Sequence, residues 1–325
     1  MRTAIVVPTL NEEHYIRSCL DALITQSPPT SAQIYVADGG STDATCDIVR
    51  EMGQKYPQIH LRHNPARLQS AAVNLIANEV KDNSDILIRA DAHAGYPPNF
   101  IQSLQDAYRR TGAASVVVPM VARGRGCLQR AIAAAQNSVL GNGGSGHRRI
   151  GASRDVEHGH HALFDIGRFL SVGGYDESFS HNEDAELDAR IRASGGGIWL
   201  CAEAAIEYFP RSSLRSLAAQ YVRHGRGRAR TLIKHGQWPK PRQILPVIIL
   251  VGLVGSAVLA AVDPRMALFA CAYALLCLAY GLALGIQQRD RCVALSGLAA
   301  MVMHVSWGFG ALMQFLSHVR ERITR

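Results

Sequence analysis

Short apolar runs alternate with amphipathic stretches through the first part of the chain. Residues 4–7, AlaIleValVal, form the first run, and its branched side chains suit a buried strand. Asn11 then reads as an N-cap, with Glu12 and Glu13 in a first turn where the helix dipole favours carboxylates. Ile16, Cys19, Leu20 and Leu23 recur at helical spacing and make one apolar face. The unit then repeats. Strands are predicted at 34–36, 59–61 and 86–88, with helices after the second (Ile48, Val49 and Met52 inward) and over 70–77. Regular alternation of strand and helix predicts an α/β fold with a largely parallel sheet covered by helices on both faces. In such sheets ligands collect at the carboxyl ends of the strands.

The pattern changes past residue 243. Stretches 244–262, 266–286 and 293–316 contain no Asp, Glu, Lys or Arg, and His304 is their one ionisable imidazole. Each is long enough to cross a bilayer core at about 1.5 Å per residue. Three domains are expected: 1–210 as the catalytic α/β domain, 211–243 as a basic interfacial segment, and 244–325 as a membrane domain. The start, MRTAIVVPT, reads as a first strand rather than a signal peptide, because its apolar run is too short.

Charge sharpens the division. From Tyr208 to Val262 there is no acidic residue, while nine Lys and Arg side chains fall between Arg211 and Arg242, more than the net +8 of the whole chain. Leu214, Leu217 and Tyr221 recur among them at near-helical spacing, which suits a helix lying on anionic membrane lipids. A basic stripe also suits RNA, but no aromatic sheet motif supports nucleic-acid binding. The positive-inside rule places this segment and the domain before it in the cytoplasm, against an inner membrane crossed several times. That rule conflicts with three crossings, which would put Arg320, Arg322 and Arg325 outside. Seven scattered cysteines with no CxxC pair favour reduced thiols.

Strand ends hold the candidate chemistry. Strand one ends near Pro8-Thr9 with no GxGxxG after it, which disfavours a dehydrogenase. Asp38 precedes Gly39-Gly40 and either accepts hydrogen bonds from a nucleoside or simply forms a turn. Asp91 and His93, at i and i+2 beyond strand four, would leave one face of an extended chain and offer a carboxylate and an imidazole to Mn²⁺ or Mg²⁺. Alternatively Asp91 only ends a strand and His93 caps it. His158, His160 and His161 have a metal-like spacing but lack carboxylate or cysteine company, and read as a loop near an acceptor site. The glycine-rich stretch 141–149 lacks the Lys-Ser/Thr of a P-loop and reads as a mobile acceptor loop.

Four blocks carry a resemblance: ProThrLeuAsnGluGlu at 8–13, ValAlaAspGlyGlySerThrAspAlaThr at 36–45, ArgAlaAspAlaHis at 89–93, and GlyGlyTyrAspGluSerPheSerHisAsnGluAspAlaGluLeu at 173–187. In this order and at these separations they resemble the signature blocks of family 2 glycosyltransferases. The third block, AsnGluAspAlaGluLeu and GlyArgGlyArgAlaArgThrLeu at 225–232 resemble succinoglycan-type glucosyltransferases more narrowly. The resemblance implies a GT-A fold, a UDP-sugar donor, a divalent metal and inversion at the anomeric carbon. It further implies that Pro8, Asn11, Glu12 and Asp38 line the nucleoside pocket and that Asp91 binds metal, with His93 at the position of the family's second aspartate. Gln220 and Arg223 match part of the family's GlnXxxXxxArgTrp block, with His224 in place of tryptophan.

Asp184 is the expected catalytic base, chosen by its place in the family pattern. Glu183 fits the same helix start, where Asn182 can cap and Leu187 and Ile191 bury the opposite face. Arg223, Arg226 and Arg228 are candidates to neutralise a leaving diphosphate. The expected activity is transfer of a sugar, glucose by the resemblance, to a lipid-linked acceptor of the undecaprenyl diphosphate type in bacterial exopolysaccharide synthesis. A polyprenyl-phosphate glycosyltransferase and a non-catalytic sugar-nucleotide-binding scaffold are the alternatives.

Overall fold

A computed structural model describes residues 1–26, 32–144 and 151–324. Most of the glycine-rich stretch 141–149 lies outside them. The chain divides into two compact units, Met1–Val121 with Arg149–Tyr208, and Ala122–Arg148 with Phe209–Arg325. Residues 122–148, counted with the α/β domain from sequence, therefore group with the helical unit.

The first unit is built on β1 (Thr3–Thr9), α1 (Ile16–Gln26), β2 (Ala32–Asp38), α2 (Thr45–Lys55), β3 (Ile59–His63), α3 (Gln69–Val80), β4 (Ile86–Arg89), α4 (Phe100–Thr111) and β5 (Ser115–Val118). After β6 (Met120–Ala122) and two helices of the second unit, α5 (Cys127–Asn137) and α6 (Val139–Asn142), it resumes. Its remaining elements are β7 (Arg154–Asp155), β8 (His160–Asp165), α7 (Ile166–Ser171), α8 (Glu183–Ala193), β9 (Ile198–Leu200) and β10 (Ile206–Tyr208). The main sheet has the order β3-β2-β1-β4-β8-β5-β9-β7. β1 pairs in parallel with β2 and β4, and β2 with β3, as alternation predicts. β8 breaks the pattern by running antiparallel between β4 and β5.

Alternate side chains divide the core in two. Ile5, Val7, Ile34, Ile86 and Ile88 face one side with α1, α2 and α4. Ala4, Val6, Leu87 and Phe164 face the other with α3 and α8. The apolar face expected of α1 is buried at all four positions, Ile16, Cys19, Leu20 and Leu23. Its start differs. Asn11 has a left-handed backbone (φ 57°), and its side-chain oxygen accepts from the Thr42 amide at 2.8 Å, so it ties two loops together instead of capping a helix.

The second unit contains α5, α6, α9 (Leu214–Lys234), α10 (Pro241–Leu259), α11 (Leu268–Gln287) and α12 (Ser296–Ile323). Three of its segments are long and apolar enough to cross a membrane, Pro241–Leu259, Pro264–Gln287 and Val293–Ile323. Leu217 and Tyr221 of α9 pack in a cluster with Ile132, Ala135, Ala299, Ala300 and Met303. The stripe expected to lie on lipid is thus used inside the protein. Cys127 and Cys292 form a disulfide, contrary to the expected reduced thiols, and join the start of α5 to the α11–α12 connection. They lie 165 residues apart, so no local spacing could pair them.

Candidate active site

The site begins where β1, β2 and β4 end. β4 ends at Arg89, so the chain is not extended through Asp91 and His93. Asp91 and His93 follow in a turn closed by the Ala94 amide on the Asp91 carbonyl at 3.1 Å. Strand alternation therefore does not govern them. The turn nevertheless brings both to one cleft of about 210 Å³, shared with Pro8, Glu12, Arg67 and Gln69. His93 is half exposed and its Nδ1 meets Glu12 Oε1 at 2.9 Å.

Asp91 turns inward. Its Oδ1 accepts from Gln69 Nε2 at 2.7 Å and Arg89 Nε at 3.2 Å, and its Oδ2 faces His160 Nε2 at 3.4 Å. The sheet explains the histidine. β8 pairs antiparallel with β4 through Ile88 and Leu163, and the same register carried three residues further sets Asp91 beside His160. His160 thus lies on a strand, not in the loop expected from sequence.

Asp184 comes from a distant part of the chain. It sits in the first turn of α8, where Asn182 holds the cap position in a left-handed conformation (φ 67°) without a side-chain capping bond. Leu187 and Ile191 are buried, as expected. Asp184 Oδ1 accepts from Arg89 Nη1 at 3.0 Å and from the Tyr175 hydroxyl at 2.7 Å, while Oδ2 faces His160 Nδ1 at 3.6 Å. One guanidinium, only 5% exposed, and one imidazole therefore link Asp91 to Asp184.

Charge states follow from these contacts. Burial opposes ionisation of Asp91 and Asp184, but Arg89 and then His160 outweigh it and hold both carboxyls well below their ordinary range. Burial opposes the His160 cation too, yet the two carboxylates raise its pKa. Glu183 is pushed up, first by burial and then by the neighbouring Asp184 charge. The two adjacent acids are thereby distinguished, which the helix pattern alone could not do. Beneath them, Ser115 Oγ, His161 and Asp188 form a buried chain, with 2.8 Å at His161 Nδ1 and 3.1 Å at Nε2.

Asp38 is buried and fully engaged. Ser41 Oγ and Thr9 Oγ1 donate to Oδ1, and the Gly40 and Ser41 amides to Oδ2 at 2.8 Å each. Burial opposes its charge, but these bonds hold its carboxyl below the ordinary value. The turn-forming reading of Asp38 is visible directly. Gln220 and Arg223 lie on α9 of the second unit, where Arg223 Nε donates to the Ala219 carbonyl at 3.2 Å.

Arg89, His160 and Tyr175 were missed as site residues from sequence. Arg89 and His160 carried signals, an arginine ending an apolar strand and a histidine cluster, but only strand pairing gave them partners. Asp91 Oδ2 and His93 are an oxygen and a nitrogen donor on the cleft that suit a divalent cation. Among the described residues no three His, Cys, Asp or Glu side chains are grouped to hold a metal by themselves.

Known proteins give this geometry a context. Over 317 residues the chain is 44% identical to the "Succinoglycan biosynthesis protein ExoA" of Rhizobium meliloti (strain 1021), covering 98% of this chain and 96% of that one. It is 27% identical over 237 residues to the "Dolichyl N-acetyl-alpha-D-glucosaminyl phosphate 3-beta-D-2,3-diacetamido-2,3-dideoxy-beta-D-glucuronosyltransferase" of Methanococcus voltae, covering 68% of this chain and 71% of the relative. The solved mannosyltransferase PcManGT from Pyrobaculum calidifontis, in complex with GDP-Man and Mn²⁺, superposes with a TM-score of 0.61 at 18% identity, over 97% of this chain and 87% of that one. That likeness shows the expected GT-A fold. A family model described as "Glycosyl transferase family 2" matches residues 4–166, and with the near full-length relative this establishes that the chain belongs to glycosyl transferase family 2.

Proposed function

We propose that the protein is an inverting glycosyltransferase that moves a hexose from a UDP-sugar to a lipid-linked oligosaccharide at the cytoplasmic face of a bacterial inner membrane. The single observation that carries this reading is the joining of Asp91 and Asp184 through Arg89 and His160 at one strand-end site. Family membership supports sugar transfer, and the name of the R. meliloti relative supports a place in succinoglycan synthesis; glucose is proposed on the sequence resemblance alone. Three long apolar helices support membrane association.

In this reading Asp184 takes the proton of the acceptor hydroxyl through Oδ2, because Oδ1 already accepts from Arg89 and Tyr175. The freed oxygen attacks the anomeric carbon as the bond to the diphosphate breaks, and UDP leaves with that electron pair. Asp91, with His93, would hold Mn²⁺ or Mg²⁺. The cation, when bound, neutralises charge on the leaving diphosphate. Pro8 and Glu12 wall the cleft beside the donor, while Asn11 and Asp38 fix the loops behind it. Gln220 and Arg223 are assigned to substrate binding by their family positions. The domain assignment 1–210, 211–243 and 244–325 is kept as a functional division into catalytic, basic and membrane parts. The test is UDP release by the full chain purified in detergent with Mn²⁺ and a panel of UDP-sugars. Release that depends on a lipid-linked acceptor is expected, and binding without turnover across the panel and a range of acceptors overturns the reading.

A further inference from the structure

The third apolar helix differs from the other two in its surroundings. α10 and α11 expose large apolar side chains along their lengths, among them Val251, Val254, Val258, Leu275, Leu278 and Leu282. α12 carries buried positions as far as Ala311, among them Ala299, Ala300 and Met303. The buried part packs on the arginine-rich α9 at backbone distance: a Cβ at Gly225 would overlap the Trp307 carbonyl, and one at Gly310 the Val222 carbonyl.

The path of α12 along the α10–α11 hairpin follows from contacts. Gly252 lies against Phe269 and Ser256 donates to the Met266 carbonyl, so the two helices run antiparallel with Tyr273 about level with Ile248. α12 meets them first at Gly297 against the Cys277 carbonyl, then at His304 against the Tyr273 hydroxyl (3.0 Å), then at Gly308 against Pro246 and Leu250. At about 1.5 Å per residue, residues 297 to 308 cover roughly 16 Å of helix but advance only about 6 Å along the hairpin. The crossing with α9 lies about 10 Å from the start of α10, in the near third of a core of about 30 Å. Arg223 and Arg226 of α9 are exposed beside that crossing. Their side chains reach headgroups from there, whereas a charge held at mid-bilayer is strongly disfavoured. Trp238, 92% exposed between α9 and α10, suits the same interface. Beyond residue 311 the pattern is amphipathic: Phe315, Leu316, Val319 and Ile323 share a stripe, with His318 and Glu321 off it and Arg322 at its edge.

We propose that the chain crosses the membrane twice, through α10 and α11, while α12 lies obliquely in the near interface against α9 and keeps the C-terminal arginines on the side of α9. The occupant of its exposed stripe is lipid, continuous with that around the hairpin. The conflict with the positive-inside rule disappears, because Arg320, Arg322 and Arg325 no longer cross.

This rests on the proposed membrane location, so the test separates the two. Alkaline phosphatase, active only outside the cytoplasm, and green fluorescent protein, fluorescent only inside, are placed on the full chain after Arg325 and, separately, between Val262 and Asp263. Phosphatase activity at 262 with fluorescence at the C-terminus is expected. Phosphatase activity at both positions overturns the two-crossing path and leaves membrane location standing. Fluorescence at 262 overturns both. A protease-cleavable C-terminal tag on the unfused chain gives an independent readout: it should be protected in spheroplasts and cut in inverted vesicles, and the reverse overturns the proposal.

Discussion

Replacing Asp184 by asparagine keeps the shape of the side chain and removes the charge that would accept a proton. A general base contributes about 10²–10⁴ in rate, or about 2.7–5.4 kcal/mol at 1.36 kcal/mol per decade. The structure argues for the full range, since the Oδ1 contacts orient the group and Oδ2 remains for the acceptor. Arg89 loses one charged partner at 3.0 Å and keeps Asp91 at 3.2 Å, so the fold should lose only about 1–3 kcal/mol and survive. The assay measures UDP release from the detergent-purified full chain at saturating donor and acceptor, with donor affinity by calorimetry. The variant should lose about two to four decades in kcat with donor Kd unchanged. Glu183→Gln should stay within about tenfold of the parent, because Glu183 has no placed role in the step. Arg89 and His160 hold Asp184 ionised at working pH, so the parent should show no acid limb from this group above about pH 5. A kcat for Asp184→Asn within about tenfold of the parent, or a larger loss in Glu183→Gln, refutes the assignment.

Arg89→Met leaves two buried carboxylates without their main cation and should cost about 3–5 kcal/mol, read as a lower unfolding temperature in detergent. Because the folded carboxyl pKa values of Asp38, Asp91 and Asp184 are lowered, their contribution to stability is full above the unfolded value of about 4 and should fade as pH drops below it, checked by thermal unfolding between neutral and acid buffers. Asp38→Ala releases four hydrogen bonds that shape the 38–43 loop, and should weaken donor binding by about tenfold or more, with less effect on kcat at saturation, in the same calorimetric assay. Chelation by EDTA should abolish UDP release, and added Mn²⁺ should restore it.

Much of the fold was legible along the chain because its signals are local. A strand such as Ala4–Val7 is apolar enough to be buried on both faces, and α1 declares its buried side by four residues at helical spacing. The cap reading of Asn11 failed for a non-local reason, since its partner is Thr42 on another loop. The same holds for the reading of Asp91 and His93 as successive positions of an extended chain: β4 ends at Arg89, and a turn, not strand alternation, brings both to the cleft. The disulfide between Cys127 and Cys292 likewise needed α5 and the α11–α12 connection to meet.

What the amino-acid order determined by itself was the repeating strand–helix pattern, the basic segment after it, the apolar helices at the end, and the residue types able to carry the chemistry. These depend on periodicity, length and charge, which act between near neighbours. Tertiary structure decided which of those residues act together. An antiparallel β8 between β4 and β5 set His160 beside Asp91, and the packing of α8 under the sheet brought Asp184 to Arg89. The physical reason is that an ion pair depends on distance in space, and residues 89, 91, 160 and 184 become neighbours only when the sheet closes its hydrogen-bond register.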